Sequence, residues 1–170
     1  MSDDNLDAET GPNGFDEATA TAPQVGILTQ YVKDLSFENP GAPQTLQMEG
    51  QPRIEINVNV NARRAGDDVY EVEIKIDARA HNEDTAVFVV ELLYAGLFAL
   101  RNVPEEALEP FLVVEAPRLL FPFARRIIAD ATRDGGFPPL LLEPIDFGAL
   151  YMAQQNAKAN GAAGGVVGNA

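Results

Sequence analysis

Alternating apolar and polar residues dominate the middle of the chain and predict strands. Every second residue of 54–60 is Ile or Val, with Glu or Asn between them, and residues 70–77 repeat the pattern. A period of two leaves one face of a strand on a core and the other in water, as antiparallel sheets allow. Residues 25–37 read as an earlier strand, and the short polar links ARRAGDD and HNED predict that neighbouring strands form a meander.

A fourth strand, predicted over residues 85–100, differs because it is apolar on both faces, with Glu91 as the interruption. Its neighbouring strands each have only one apolar face, so the second apolar face of this strand must be covered by something other than the first core. Another subunit, a helix or a bound client chain are the candidates. A fully buried strand or a short helix explains the pattern equally well.

Helices are predicted after the strands. Pro104 followed by two glutamates starts the first, and an apolar stripe at helical spacing predicts the second over 117–134. Pro122 is expected to start or kink that second helix. Asp146 suits the N-cap of a last helix over 147–155. Strands followed by helices predict an α+β domain with an antiparallel sheet of four strands.

The two ends of the chain differ in composition from its middle. Residues 1–24 are polar, acidic and rich in Gly and Pro, and predict a disordered arm. Residues 157–170 are rich in Ala, Gly and Asn, and predict a flexible tail. The folded domain is therefore expected to span residues 25–156.

Charge and hydropathy limit the classes of partner. The formal net charge of −14 repels phosphate backbones, so the sequence predicts no nucleic-acid partner. It favours basic partners, or serves solubility alone. Residues 1–24 contain neither Lys nor Arg, unlike a signal peptide, and no apolar run is long enough for a bilayer. A cytoplasmic protein without membrane insertion is therefore expected.

Side chains suited to catalysis or metal binding are sparse. The chain has no Cys and one His, His81, in a predicted polar turn, so no metal site is predicted. Asp34 and Glu38 share a strand face about 13 Å apart, too far for the carboxylate pair of a glycosidase. Such a row suits contact with a basic partner, although a solvated sheet face explains it as well. No catalytic residue is predicted.

Large apolar residues exceed what a small sheet with one polar face can bury. Such an excess indicates a subunit interface or a binding groove for peptides or proteins. The residues concerned are Phe88, Leu92, Leu93, Tyr94, Phe98, Phe111, Leu119, Phe121 and Phe137.

Six segments in order resemble the SecB family of bacterial protein-export chaperones. YVKDLSFENP at residues 31–40 is similar to the first strand of that family. The similarity extends over about residues 25–155. The remaining segments are DDVYEV at 67–72, the fourth-strand pieces TAVFVVE at 85–91 and AGLF at 95–98, LFPFAR at 120–125, GFPPL at 136–140 and PIDFGALY at 144–151.

The resemblance implies a homotetramer, built as a dimer of dimers, that works as an ATP-independent holdase. It would bind unfolded preproteins in hydrophobic grooves and deliver them to the translocation ATPase SecA, with no nucleotide, cofactor or catalytic residue. The alternatives are a chaperone of the same fold dedicated to one client, such as a toxin–antitoxin partner, an enzyme with carboxylate chemistry, and a structural oligomer without clients.

The resemblance also implies roles for individual residues. The implied SecA-binding residues are Asp34, Glu38, Val89 and Glu91. The implied subunit-interface residues are Val90, Leu92 and Tyr94. The implied peptide-binding residues are Phe88, Phe98, Leu120, Phe123 and Phe137.

Overall fold

Four long antiparallel strands form a single sheet in the computed structural model, which describes residues 21–163. The strands are β1 (Gln24–Glu38), β2 (Arg53–Gly66), β3 (Val69–Asn82) and β4 (Thr85–Arg101), with a short 3-10 helix, Gln44–Gln47, between the first two. All four predicted strands are confirmed, and each is longer than its clearest stretch of alternation.

A long helix follows the sheet. It begins as α1 (Glu105–Pro110), passes through a π-helical turn (Phe111–Glu115) and continues as α2 (Ala116–Asp134). Pro122 lies inside α2. The helix predicted over 117–134 is confirmed, with Pro117 in its first turn, where the missing N–H is harmless; of the two alternatives for Pro122, a helix start there is excluded.

The last helix, α3 (Phe147–Ala163), starts where the sequence predicts. Asp146 Oδ1 accepts a hydrogen bond of 2.9 Å from the backbone N–H of Ala149, which confirms the N-cap. The helix continues past the predicted end at residue 155, so residues 157–163 of the expected tail are helical. Most of the predicted arm, residues 1–20, and the tail segment 164–170 lie outside the described residues.

The strand order is β1-β4-β3-β2. The meander of β2, β3 and β4 is as predicted, whereas β1 crosses over to pair with β4. The doubly apolar β4 is therefore an inner strand, and within the described residues β1 and β2 are the two edges.

Helix α2 covers one face of the sheet, called here the helix face. Alternate side chains of β3 and β4 are buried there against Leu120, Ala124 and Ile128 of α2. No described helix packs on the opposite face, called here the open face. The helix-face residues of the two strands are Val72, Ile74, Ile76, Ala78, Ala80, Phe88, Val90, Leu92, Tyr94, Phe98 and Leu100.

The helix sits closest to the sheet at Gly96 of β4. A Cβ atom at this position would lie 2.7 Å from Cδ2 of Leu120 and 3.1 Å from Cε2 of Phe98, and both of these side chains are fully buried. Glycine is therefore required for this approach, and α2 is seated over the centre of the sheet.

Thr132 joins the end of α2 to the segment that leads to α3. Its hydroxyl group donates to the carbonyl of Ile128 at 3.0 Å and accepts from the N–H of Leu140 at 2.9 Å. The side chain of Thr132 is fully buried, so its hydroxyl group is satisfied by these protein partners and not by water. Thr132 thus anchors the segment 135–146 on the helix face.

We expect Thr132→Val to lower the free energy of unfolding by about 1–3 kcal/mol, because the isosteric change leaves the N–H of Leu140 without an acceptor. Urea unfolding at one fixed chain concentration measures this loss. Thr29→Val on exposed β1 is the matched control, with an expected change within about 0.5 kcal/mol. Equal losses in the two variants would contradict the anchoring role.

Candidate binding surfaces

An acidic row lies on the open face along β1 and β4. Asp34, Ser36 and Glu38 of β1 point to this face, and the register pairs Ser36 with Glu91 and Glu38 with Val89. Neighbouring strands lie about 4.8 Å apart, and Glu91 lies opposite the midpoint between Asp34 and Glu38, so the three carboxylates form one row. The structure therefore brings together all four residues that the resemblance assigns to SecA binding.

The acidic row continues onto β3. Asp77 lies directly opposite Glu91, and one of its oxygens is 3.7 Å from Nζ of Lys75. Arg79 lies 3.8 Å from Glu91 and is largely exposed. Facing carboxylates repel each other, so this part of the open face has a negative potential that the exposed Lys75 and Arg79 offset only weakly.

A second group of charges, called here the Glu71 network, lies further along the open face. Glu71 is only 4% exposed. Its carboxylate accepts hydrogen bonds from the hydroxyl of Tyr31, from Nε of Arg63 at 2.6 Å and from Nζ of Lys33 at 3.3 Å. Lys33 also donates to Glu73, which accepts a bond of 3.2 Å from Asn61. These contacts join β1, β2 and β3 across β4.

The network sets the protonation of its members. The hydrogen bond from Tyr31, with those from Arg63 and Lys33, holds the pKa of the Glu71 carboxyl below its usual value, against the opposing effect of burial. The pKa of Lys33 is raised, first by its hydrogen bond to Glu73. The network is therefore an ion cluster whose charges are compensated internally, unlike the acidic row.

On the helix face, a groove of about 400 Å³ runs between β2 and the segment that leads to α3. Ile56 of β2 and Leu141 of that segment are 43% and 63% exposed, so large apolar side chains reach the solvent here. We call this the β2 groove. Its lining residues are Ile56, Val58, Leu141, Leu142, Glu143, Pro144, Ile145 and Leu150.

The β2 groove opens into further clefts along the same strand. Val58 and Leu150 also line the next cleft, together with Tyr151 of α3. Val60 and Tyr151 in turn line a third cleft beside α1. A row of neighbouring clefts therefore follows the helix face of β2, and the sequence reasoning missed it. The alternation of β2 and the LLL run of the linker were its signals.

The residues predicted to bind peptides are not gathered at one groove. Phe88, Phe98 and Leu120 are buried in the core at 3%, 0% and 0% exposure. Phe137 is half-buried, with its ring centroid 5.0 Å from that of Phe88. Phe123 is exposed, but on α2 it is separate from the β2 groove, whose lining it does not join.

The residues predicted to contact another subunit are likewise buried within their own chain. Val90, Leu92 and Tyr94 lie on the helix face of β4, at 0%, 1% and 7% exposure. The exposed apolar surface lies instead on the neighbouring edge strand and on the adjoining side of α2. Its residues are Val25, Ile27, Leu28, Val32 and Leu35 of β1 with Leu119 and Phe123 of α2.

Two other features are absent from the described part of the chain. Within residues 21–163, no three side chains of the metal-binding types cluster together. Over the same residues, no helix combines the length and the apolar character needed to cross a bilayer.

We expect Glu71→Gln to make the free energy of unfolding less dependent on pH below neutral. The folded-state pKa of Glu71 lies below its usual value of 4.5, so its charge stabilises the fold above that pH, and the contribution is lost as the pH falls through the folded pKa. Urea unfolding between about pH 7 and pH 3 should show lower stability at neutral pH and a smaller loss in acid. Glu115→Gln removes an exposed carboxylate and controls for net charge; a wild-type pH dependence in Glu71→Gln would contradict the prediction.

The sequence profile of a family described as Preprotein translocase subunit SecB matches residues 18–158. A Protein-export protein SecB from Rhizorhabdus wittichii is 58% identical over 154 residues, covering 91% of this chain and 90% of the relative. Another from Bradyrhizobium diazoefficiens is 51% identical over 162 residues, covering 95% of this chain and 99% of the relative.

Among solved structures, the fold is similar to a SecB-like chaperone of Mycobacterium tuberculosis in complex with a peptide from an antitoxin. The TM-score is 0.58 at 19% identity, with 71% of this chain and 87% of that chain covered. The fold is therefore shared, in agreement with the predicted α+β architecture. With the profile match and the extensive identity to its relatives, the chain belongs to the SecB family of preprotein translocase subunits.

Proposed function

We propose that this chain is an ATP-independent holdase that keeps preproteins unfolded and delivers them to the SecA ATPase. The observation that carries the proposal is the β2 groove, where large apolar side chains remain exposed beside a well-packed core. Exposed apolar surface of this kind marks a site for another chain. The proposal places the protein in the cytoplasm, where preproteins are made.

The shape of the groove suits an extended, apolar client segment. From Ile56 to Val60 the first two clefts follow about 13 Å of β2, the length of about four extended residues. Its floor is made mainly of aliphatic side chains, with Glu143 at one end and Gln154 at the other. Aliphatic contacts are not directional, so the groove would accept many sequences and select unfolded chains over folded ones.

The named relatives favour export over a dedicated toxin–antitoxin role. Proteins named for export are 51–58% identical to this chain over most of its length. The SecB-like chaperone bound to an antitoxin peptide is 19% identical, a level at which only the fold is carried over. We therefore propose that the chain binds preproteins in general and is not dedicated to one client.

The exposed edge of the sheet supports assembly into the homotetramer that the resemblance implies. β1 is an edge strand of 15 residues, and Leu28 and Val32 on it are 57% and 45% exposed. A long apolar edge invites aggregation unless another chain covers it. We propose that β1 and the adjoining side of α2 form subunit contacts, with Val90, Leu92 and Tyr94 supporting that surface from beneath.

The acidic row is the proposed docking site for SecA. Asp34 and Glu38 are exposed on the open face, and Glu91 lies beside them on β4. Val89 offers a small apolar contact between the charges. Complementary charge steers encounter and fixes orientation, so a basic surface on SecA is the expected counterpart.

Leu141→Asp should weaken holdase activity about tenfold, because the change removes one large apolar contact from the groove and adds a charge. Light scattering from an aggregating, chemically unfolded preprotein, without nucleotide, measures the chaperone concentration needed for half suppression. The mass of the chaperone particle, read by size-exclusion light scattering, verifies that the variant keeps the wild-type assembly.

Met152→Asp is the matched control for that experiment. Met152 is 58% exposed on α3 and does not line the β2 groove, and the variant makes the same charge change. It should keep wild-type suppression. Equal activity of the two variants would refute the β2 groove as the client site. Absence of suppression by the wild-type chain would refute the holdase function.

Asp34→Arg should lower the affinity for SecA by at least about tenfold at low salt, since it places a positive charge against a basic partner. Titration calorimetry at several salt concentrations measures the affinity and its screening. Asp67→Arg, on an exposed turn away from the acidic row, makes the same charge change and should bind normally. Normal binding by Asp34→Arg would exclude the acidic row as the docking site.

A further inference from the structure

The acidic row owes its orientation to a β-bulge in β1. The register pairs Val32 with Tyr94 and Asp34 with Leu93, so Lys33 is an extra residue without a partner of its own on β4. Such an insertion changes which side chains face each side of the sheet. Before the bulge Tyr31 points to the open face, and after it Asp34 does.

Without the bulge, strict alternation from Tyr31 would reverse the rest of the strand. Lys33, Leu35 and Phe37 would face outward, and the acidic side chains Asp34 and Glu38 would face the core. In the structure Phe37 faces inward, where its ring lies 6.0 Å from that of Phe88. The side of the bulge that follows Lys33 is therefore anchored by the core.

The Glu71 network anchors the other side of the bulge. Tyr31, two residues before Lys33, and Lys33 itself both donate to the carboxylate of Glu71. They reach it across β4 at Ala95, which the register places between Tyr31 and Glu73. The methyl group of Ala95 is small enough to leave that path open, and a larger residue would block it.

Separating a buried carboxylate from its several hydrogen-bond donors costs a large free energy. Removing the charge of Glu71 would leave Arg63 without its main acceptor and Lys33 with Glu73 alone, so the network resists any rearrangement that separates its members. A slip of β1 by one residue would be such a rearrangement. Bulge and network thus occur at the same place, and only the bulged register satisfies both the network and the aromatic contact of Phe37.

We propose that Tyr31, Lys33 and Glu71 are positioning residues that lock the bulged register of β1 and so present the acidic row to its basic partner. The inference rests on the proposed docking of SecA to that row. It assigns a role in partner recognition to residues that make no contact with the partner. It also explains why a buried ion cluster is placed on a face that no described helix covers.

The test uses Glu71→Gln, which removes the charge while keeping the side-chain shape. The apparent affinity of a partner falls in proportion to the fraction of competent register, so SecA binding should weaken at least about threefold. Suppression of preprotein aggregation depends on the β2 groove at the other face and should stay within about twofold of wild type. Asp67→Asn makes the same charge change at an exposed turn and should alter neither.

Cysteine pairs report the register directly, because the chain has no cysteine of its own. Ser36→Cys with Glu91→Cys joins residues that are partners in the observed register. Leu35→Cys with Glu91→Cys joins residues that become partners only after a slip of one position. Under mild oxidation, Glu71→Gln should lower cross-linking of the first pair and raise that of the second.

The two readouts separate the inference from the proposed function. If the wild-type chain binds no SecA, the docking proposal fails, and the cysteine pairs still decide whether the network locks the register. If Glu71→Gln does not fold, Tyr31→Phe, which removes one hydroxyl group, is used instead and should shift both readouts in the same direction. An unchanged cross-linking pattern, or an unchanged SecA affinity, overturns the inference.

Discussion

The contact between Leu120 of α2 and Gly96 of β4 determines how the rest of the structure is used. It seats the helix over the two inner strands, β3 and β4, and leaves the helix face of both edge strands only partly covered. On the β2 side the uncovered strip becomes the β2 groove. On the β1 side it becomes the apolar edge that we assign to subunit contacts. A single helix too narrow for its sheet thus generates both surfaces.

The open face is polar where the helix face is apolar, because no described helix covers it. Its side chains are polar along β2 and β3, and the largest charge cluster is compensated internally by Tyr31, Lys33 and Arg63 around Glu71. Compensation removes the field of Glu71 and Glu73 from the surface. What remains is the field of Asp34, Glu38, Glu91 and Asp77, offset in part by Lys75 and Arg79. The open face therefore carries a localised negative potential instead of a diffuse one, and localisation is what orients a basic partner.

Local sequence patterns predicted the elements well, because alternation and N-capping depend on neighbouring residues. The strands and the N-cap at Asp146 are examples. The position of β1 beside β4 was not predictable in this way, since it depends on a crossover between distant segments. The bulge at Lys33 was equally hidden, because one inserted residue leaves alternation intact on either side of it.

The candidate surfaces were harder to predict for a related reason. Phe88, Phe98 and Leu120 are large and apolar, and sequence alone cannot distinguish such residues in a core from those in a groove. Glu71 and Glu73 looked like a solvated strand face, because their partners lie on other strands and depend on the register. The acidic row was identified through resemblance, since its spacing alone fitted a solvated face equally well.

The two proposed binding surfaces lie on opposite faces of one sheet, and this arrangement has a functional consequence. A client in the β2 groove would contact the helix face of an edge strand, while SecA would contact the open face at the opposite edge, so neither excludes the other sterically. Transfer of a client then requires no prior release of the chaperone from SecA. The sheet between the two sites is continuous, with β4 hydrogen-bonded on both sides. Docking can therefore bring a loaded groove close to the ATPase without disturbing it, which is the geometry that a delivery chaperone without its own energy source needs.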